Sequence, residues 1–493
     1  MKRGEKRGCS GPILWVENFA GVVCRGCLPG YYLPRQALTV MIGEVFMRFR
    51  RYEDMAGIIQ PKVLKGFRDF LPQMEIPRRK LIRALEDHFT SYGYVPIDTP
   101  VLEYAEVLLS KGGGETDKQT YRFNDHGGRD VALRFDLTVP FARYVAAHRN
   151  ELSMPFKRYH IGKVWRGENT QRGRYREFMQ CDFDVIGTDS AAADLEIMLM
   201  MAAGLRAIDA GETRIRFSHR GLFNQLLEKL GLEGKTAEVL RIVDKIGKIG
   251  AGEVRILLGE LVGKEETETL LDFITPAEDN RETLKKMAAL AGSEDNDGSA
   301  EVRIKAILDA VEEMQLHHAL VLDPSITRGL DYYTGIVFET FLDDMPSLGS
   351  VCSGGRYGNL TGLFMKESVS GVGASIGLDR LMAGLEELGR IDNAASGTDI
   401  LILMLDEALL AKYQMLAHGL RQDGLAAEVY PENKKLGAQF KYAAAKGIPL
   451  ALIVGSEENE AGTVNLKDLR SRESFNGLSL EDARGKALEL LSS

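Results

Sequence analysis

The sequence predicts an α+β fold divided among several domains, and three observations carry the prediction. At 493 residues the chain is too long to organise around one hydrophobic core. Apolar, β-branched runs bounded by glycines and polar turns cluster in residues 120–186 and again in 328–382. A stretch of helical patterning, Leu226 to His318, lies between them. About the last hundred residues alternate strands with helical patterns, the mark of a separate α/β unit.

The chain in order justifies these elements. Residues 1–54 mix basic residues, glycines and the apolar run Ala37-Leu-Thr-Val-Met-Ile42 without sustained periodicity. Glu5, Glu17 and Glu44 fit poorly with the acid-poor composition of transit peptides. The expectation is an N-terminal extension, disordered or not part of the working protein, with order starting near Met55. Leu81, Leu85 and Phe89 fall at i, i+4 and i+8, one face of a helix for which Pro77 is a suitable start. Tyr94 to Leu102 reads as extended. Gly112-Gly-Gly-Glu-Thr116 reads as a flexible loop, followed by strands at Thr120–Phe123 and Val131–Phe135 and a helix at Val139–Ala147. Two longer strands, Arg158–Arg166 and Arg176–Ile186, flank the polar loop Gly167–Arg174. A helix follows near Leu195–Ile208, and acidic Gly292–Ser299 interrupts the helical segment. Gly371 to Met382 is a glycine-rich strand running into a helix buried through Leu378, Leu381, Met382, Leu385 and Leu388, with Gly389 as terminator. Strands recur at Asp399–Met404, Ala427–Tyr430 and Leu450–Val454.

Composition narrows the function classes. No run of about 18 apolar residues is present, so no membrane-spanning helix is expected. The formal charge of −9 argues against indiscriminate polyanion binding, but not against a local basic face. The five cysteines, Cys9, Cys24, Cys27, Cys181 and Cys352, are few, odd in number and mostly far apart, which speaks for a reducing cytoplasm. Cys24-Arg-Gly-Cys27 has zinc-knuckle or redox spacing, but no second Cys or His pair accompanies it, so no metal is expected there. Cys181 and Cys352 read as small buried hydrophobes.

Several motifs carry a resemblance. Arg328-Gly-Leu-Asp-Tyr-Tyr-Thr-Gly-Ile-Val-Phe-Glu339 followed by Ser353-Gly-Gly-Arg-Tyr-Gly-Asn359 resembles the two signature motifs of histidyl-tRNA synthetases, which are class II aminoacyl-tRNA synthetases. Lys65-Gly-Phe-Arg-Asp-Phe-Leu-Pro72 resembles that family's opening motif. The helix and extended segment ending at Pro100 are similar to class II motif 1, the hairpin around Gly167–Arg174 to motif 2, and Gly377-Leu-Asp-Arg380 to motif 3. The family commonly has Gly-Gly-Arg-Tyr-Asp where this chain has Gly354-Gly-Arg-Tyr-Gly358, so no carboxylate role is expected at Gly358. The resemblance runs from about Pro61 to the C-terminus. It implies a class II antiparallel sheet flanked by helices (55–225 and 319–395), a helical insertion (226–318) and a C-terminal α/β anticodon-binding domain (396–493).

The resemblance also implies chemistry: ATP-dependent activation of L-histidine to histidyl-adenylate, then transfer to the 3′ end of tRNA(His), with Mg2+ and a homodimer. Bringing the histidine carboxylate against the α-phosphate joins two anions, a task for arginines. Arg166 would hold the α-phosphate and carboxylate, Arg328 would reach the α-phosphate from the other side, and Arg380 would hold the γ-phosphate. Glu168 would bind the adenine side or magnesium, with Arg174 in the same loop. For histidine, Asp184 and Tyr333 would take the ring nitrogens. Asp136, Thr138 and Gln180 would hold the α-ammonium, and Tyr332 would pack beside them. Each arginine alone also reads as a solvated surface charge; three in matching motifs, in family order, do not. Lys434, Lys435, Lys441 and Lys446, with Phe440 and Tyr442 interleaved and no acid from 434 to 446, read either as a basic helix face or as a single-stranded RNA contact. The rival from the same core is a non-catalytic regulatory subunit of ATP phosphoribosyltransferase. It lacks the terminal domain and usually loses the signature residues.

Overall fold

The structure, a computed structural model, describes residues 59–109, 118–292, 299–327, 333–391 and 396–492. The expectations for residues 1–54, for Cys24 and Cys27, for Gly112–Thr116, and for Arg328 and Tyr332 lie outside the described residues. The chain divides into two compact units, 1–63 and 64–493. Of the first, only 59–63 are described, and all five are exposed.

In the second unit, helix α1 (Pro72–Ser91) opens the chain. It starts at Pro72 rather than at Pro77, which lies inside it; Pro72 supplies the preset φ of a first helical residue. Its buried face is Arg78, Ile82, Leu85 and Phe89, with Leu81 only half-buried. The predicted extended segment forms just two short strands, β1 (Val95–Pro96) and β2 (Leu102–Tyr104). After helix α2 (Ala105–Leu109), strands β3 (Arg122–Asn124) and β4 (Asp130–Leu133) join β2 in a small antiparallel sheet, order β2-β4-β3. Helix α3 (Thr138–Ala147) follows.

The predicted hairpin is β5 (Phe156–Trp165) and β6 (Glu177–Ile186), ten residues each and paired throughout. Then come helix α4 (Ala191–Ala207), strand β7 (Thr213–His219) and helix α5 (Arg220–Lys229), which runs across the expected boundary at 225/226. Helices α6 (Thr236–Val243), α7 (Ile246–Val262), α8 (Lys264–Ile274), α9 (Asn280–Ala291) and α10 (Ser299–Glu313) form the helical stretch. Strands β8 (Leu320–Leu322), β9 (Ile336–Leu342), β10 (Cys352–Tyr357) and β11 (Gly371–Gly377) return to the sheet before helix α11 (Leu378–Glu387). The result is an eight-stranded sheet of order β1-β5-β6-β11-β10-β9-β7-β8, antiparallel except at its two ends. One apolar cluster joins Phe89, Phe183, Phe217 and Phe338 to Val254, Leu270 and Ile304 of the helices, so the helical stretch shares the core of the sheet.

The terminal residues build a third sheet from β12 (Ile400–Ile402), β13 (Ala427–Val429), β14 (Leu450–Ile453), β15 (Val464–Asp468) and β16 (Ser474–Leu478), order β13-β12-β14-β15-β16. Alternate residues of β12 enter separate apolar clusters, Ile400 and Ile402 on one side and Leu401 on the other. Helix α12 (Leu410–Gln422) packs through Tyr413 and Leu416 on the first side, and α13 (Leu436–Lys446) through Ala443 on the second.

Candidate active site

The site grows out of the alternation of β6. Cys181, Phe183 and Val185 point into the apolar core, so Gln180, Asp182 and Asp184 must share the opposite face. Register fills in their neighbours. Arg158 and His160 of β5 stand opposite Asp184 and Asp182, while Gly373 and Ser375 of β11 stand opposite the same two residues. Gly355 lies opposite Gly373 on β10. A Cβ on Gly373 would sit 2.0 Å from Asp184 Oδ1, and one on Gly355 would sit 2.6 Å from the Ile336 carbonyl oxygen. The glycines are therefore a requirement of this polar floor rather than of a turn.

Arg158 is fully buried. Its Nη2 lies 2.7 Å from Asp184 Oδ2, although off hydrogen-bond alignment, and its guanidinium stacks 4.2 Å from the centre of the Phe141 ring. Tyr357 donates its hydroxyl to Asp184 Oδ1 at 2.9 Å. Burial, opposed by Arg158 and Tyr357, raises the Asp184 carboxyl above its usual range. Asp182 is pushed up to about 7, chiefly by burial. Asp136 follows β4 on the same side; its Oδ1 accepts from Val139 N at 3.2 Å, and burial pushes it up to about 6. Burial and then Arg158 push His160 down to about 3, so it is neutral. Gln180 donates to Ser375 Oγ at 2.8 Å. Thr138 begins α3, two residues after Asp136.

The arginines fall into two groups. Arg166, one residue past β5, donates from Nε to the Phe135 carbonyl oxygen at 2.9 Å, immediately before Asp136. Its Nη1 lies 3.9 Å from Glu168, and Arg174 lies 3.6 Å from the other oxygen of Glu168. Arg380, in the first turn of α11, donates to the Ser350 carbonyl oxygen at 2.8 Å, and its stem lies against Gly173 of the hairpin loop. The neighbouring Asp379 pairs with Arg68 of the opening motif and accepts from Met179 N at 2.6 Å. Tyr333 has its ring edge beside Gly355, and its carbonyl oxygen accepts from Arg220 at 2.8 Å.

The fold thus brings Asp136, Gln180, Asp184 and Tyr333 around one sheet face, with Thr138 two residues along the chain from Asp136 and Arg166, Glu168 and Arg174 at the hairpin end. Sequence reading missed Arg158, His160, Asp182 and Tyr357. For Arg158, His160 and Asp182 the signal was there as polar residues alternating with apolar ones along β5 and β6, and Tyr357 stood in the glycine-arginine-tyrosine motif. Arg356 of the glycine-arginine-tyrosine motif turns away instead. It pairs at 2.7 Å with fully buried Asp194, which Arg303 also meets at 2.7 Å. Cys181 and Cys352 are buried thiols pushed up by desolvation.

A family model described as Histidyl-tRNA synthetase matches residues 66–381. The chain belongs to the histidyl-tRNA synthetase family. A second model, Anticodon binding domain, matches 399–490. Curated histidine–tRNA ligases of Treponema denticola and Rhodopirellula baltica are similar to it. The first is 51% identical over 432 residues, 85% of this chain and 96% of that protein; the second is 47% identical over 420 residues, 85% and 95%. The crystal structure of a histidyl-tRNA synthetase from Nostoc sp. superposes with a TM-score of 0.79 at 30% identity, covering 88% of this chain and all of that one. An ATP phosphoribosyltransferase regulatory subunit/histidyl-tRNA synthetase from Bacillus halodurans, at 22% identity and a TM-score of 0.68, shares the fold. Close identity to ligases across both matched regions decides for the enzyme: the chain is an aminoacyl-tRNA ligase of the histidyl-tRNA synthetase family, with an anticodon-binding domain.

Proposed function

We propose that the polar sheet face holds L-histidine and that the hairpin arginines hold ATP, so that histidyl-adenylate forms between them and histidine then passes to tRNA(His). One observation supports this most strongly: Arg166 is bonded to the carbonyl of Phe135, the residue before Asp136. A cation for the phosphate is thereby tied next to a carboxylate for the α-ammonium. The histidine carboxylate attacks the α-phosphorus and pyrophosphate leaves; Arg166 and Arg328 neutralise the charge that gathers there, and Arg380 takes the γ-phosphate. Asp184, held by Arg158 and Tyr357, and Tyr333 bond the ring nitrogens. A ligand without them would leave buried polar groups unpaired.

Magnesium is read as arriving with ATP. Among the described residues no three His, Cys, Asp or Glu side chains converge as a metal site, while Glu168 fits the single carboxylate that a phosphate-bound Mg2+ takes from a protein. Exposed Leu102 and Tyr104 of β2 and Phe123 of β3 share one face of the small sheet, and Val95 and Val101 of the motif 1 segment are exposed as well; apolar side chains left open there support a homodimer. Lys434 and Lys435, just before α13, and Lys441, within it, are exposed and are assigned to tRNA, with Lys434 also paired to Glu432 at 2.6 Å. Lys446 and Tyr442 are already engaged with Glu428. With no helix among the described residues long and apolar enough to cross a membrane, a cytoplasmic setting agrees with this chemistry.

The test is histidine-dependent ATP–pyrophosphate exchange. Arg166→Ala and Arg328→Ala should each lower the rate about 100-fold or more while changing histidine binding far less. Arg328→Lys should also be impaired, because a point charge does not replace a planar fork. Unchanged exchange in either alanine variant refutes its assignment.

A further inference from the structure

We infer that Asp182 is a further histidine-binding residue, an anionic acceptor for the substrate α-ammonium alongside Asp136 and Gln180. The inference rests on reading this sheet face as the histidine site, and it adds a residue that the motifs do not assign.

The argument is one of matching donors to acceptors. Asp182 is 1% exposed and sits between Gln180 and Asp184 on the polar face of β6. It is hydrogen-bonded to the Ser375 hydroxyl on β11, which also accepts from Gln180. Its Oδ1 nevertheless has no hydrogen-bond partner, and neither do Asp136 Oδ2 and Gln180 Oε1. Orphaned buried acceptors are costly and uncommon. Three of them on one face require donors, and a primary ammonium carries three N–H groups and no acceptor.

Charge points the same way. The groups facing Asp182 are Arg158 and His160 of β5, Asp184 of β6, and Arg134 and Asp136, which follow β4. His160 is neutral, and Arg158 is committed to Asp184. Arg134 spends its donors on the carbonyl oxygens of Lys163 and Thr99. Asp182 and Asp136 therefore repel each other on a buried face; Arg158 and Arg166 act on them only through space, and among the described residues neither carboxylate has an ion pair of its own, which agrees with the upward displacement of both carboxyls. An incoming ammonium completes the set.

The experiment measures binding of histidine, histidinol and deamino-histidine (imidazole-propionate, by competition) to the full chain and its variants. Histidinol keeps the ammonium and lacks the carboxylate; deamino-histidine keeps the ring and lacks the ammonium. Asp182→Asn should weaken histidine and histidinol alike, roughly 10- to 100-fold, and leave deamino-histidine and ATP within about twofold. The loss should appear in KM for histidine, with kcat of exchange little changed. Ser375→Ala, which loosens Asp182 without altering its charge, should show a smaller loss with the same ligand pattern, and it keeps the test open if the first variant folds poorly. Equal weakening of all three ligands, or of none, overturns the proposal. Asp136→Asn and Asp184→Asn separate the two readings. If both leave histidine affinity intact, the site itself is misread; if both impair it while Asp182→Asn does not, only the role of Asp182 falls.

Discussion

The two large sheets of residues 64–493 bury polarity in opposite ways. Among the described residues, every buried side-chain polar atom without a hydrogen bond lies between Arg68 and Thr340, and the five-stranded unit has none. That unit does bury a polar residue completely: Gln439 accepts from Met404 N at 2.9 Å and donates to the carbonyl oxygens of Met404 and Lys434, both at 2.7 Å. The eight-stranded sheet buries Asp182 and Gln180, and Asp136 beside them, each with an acceptor atom that has no hydrogen bond. A satisfied buried polar group stiffens a fold; the unsatisfied acceptors of Asp136, Asp182 and Gln180, gathered on one face, are open to a ligand.

The sharpest way to break this comparison is to cut the chain between the two. A chain ending near residue 395 should retain histidine-dependent pyrophosphate exchange and lose most charging of tRNA, by 100-fold or so if anticodon contacts supply about 3 kcal/mol. Normal charging would show that the terminal sheet is not the tRNA-reading part. Next come two substitutions with opposed signatures. Asp136→Asn should raise KM for histidine roughly 100-fold, since it removes a charged partner of the ammonium. It should leave the melting temperature unchanged or higher, because it removes a buried anion while keeping an acceptor for Val139 N. Gln439→Leu should do the reverse, costing roughly 3 kcal/mol or more by orphaning three backbone groups. It should reduce charging while exchange persists. Melting curves and both assays on both variants check the pair.

A smaller effect is expected in the pH dependence. Asp136 and Asp182 carry carboxyls displaced upward, to about 6 and about 7. Between the ordinary carboxylate range and those values the folded chain holds more protons than the unfolded one. Stability without histidine should therefore fall as pH rises from about 4 to about 7. Saturating histidine should flatten that slope, because its ammonium favours the ionised forms; thermal melts at pH 5 and pH 7.5 with and without histidine measure it. The smallest effect is at the surface. Lys441→Ala should weaken tRNA binding only a few-fold. The slope of log affinity against log salt should become shallower by about 0.7, the value for one phosphate neutralised on a single strand. Melting should be unchanged.

Much of this architecture was legible in the sequence because its elements alternate strongly. The β5–β6 hairpin and the run from β11 into α11 were found within one or two residues, and the burial of Leu378, Leu381, Met382 and Leu385 was as expected. Strands β7, β8, β15 and β16 were not found. Leu320–Leu322 is three residues long, too short for periodicity to register, and Thr213–His219 follows directly on a helical pattern. Of the site, the residues to which the resembled motifs give a role were found, whereas Arg158, His160, Asp182 and Tyr357 were not, although all four lie within the hairpin or the glycine-arginine-tyrosine segment. Their importance depends on strand register, which brings residues 158, 184 and 357 together, and no local window contains that information.

The placement of β6 also has a consequence for the order in which the chain is made. Its hairpin partner β5 is complete before β6 is made, but its other neighbour, β11, begins only at Gly371, after residues 187–370 have been synthesised. For that whole interval the free edge of a ten-residue strand is without its native partner, a situation that invites pairing with the wrong chain. Charges that face inward on such an edge penalise any partner that cannot meet them, and the partner that finally arrives meets them with Gly373 and Ser375. Asp182 and Asp184 should thus disfavour pairing of that edge with a wrong partner. A variant that neutralises both should aggregate more during refolding even if its finished fold is no less stable.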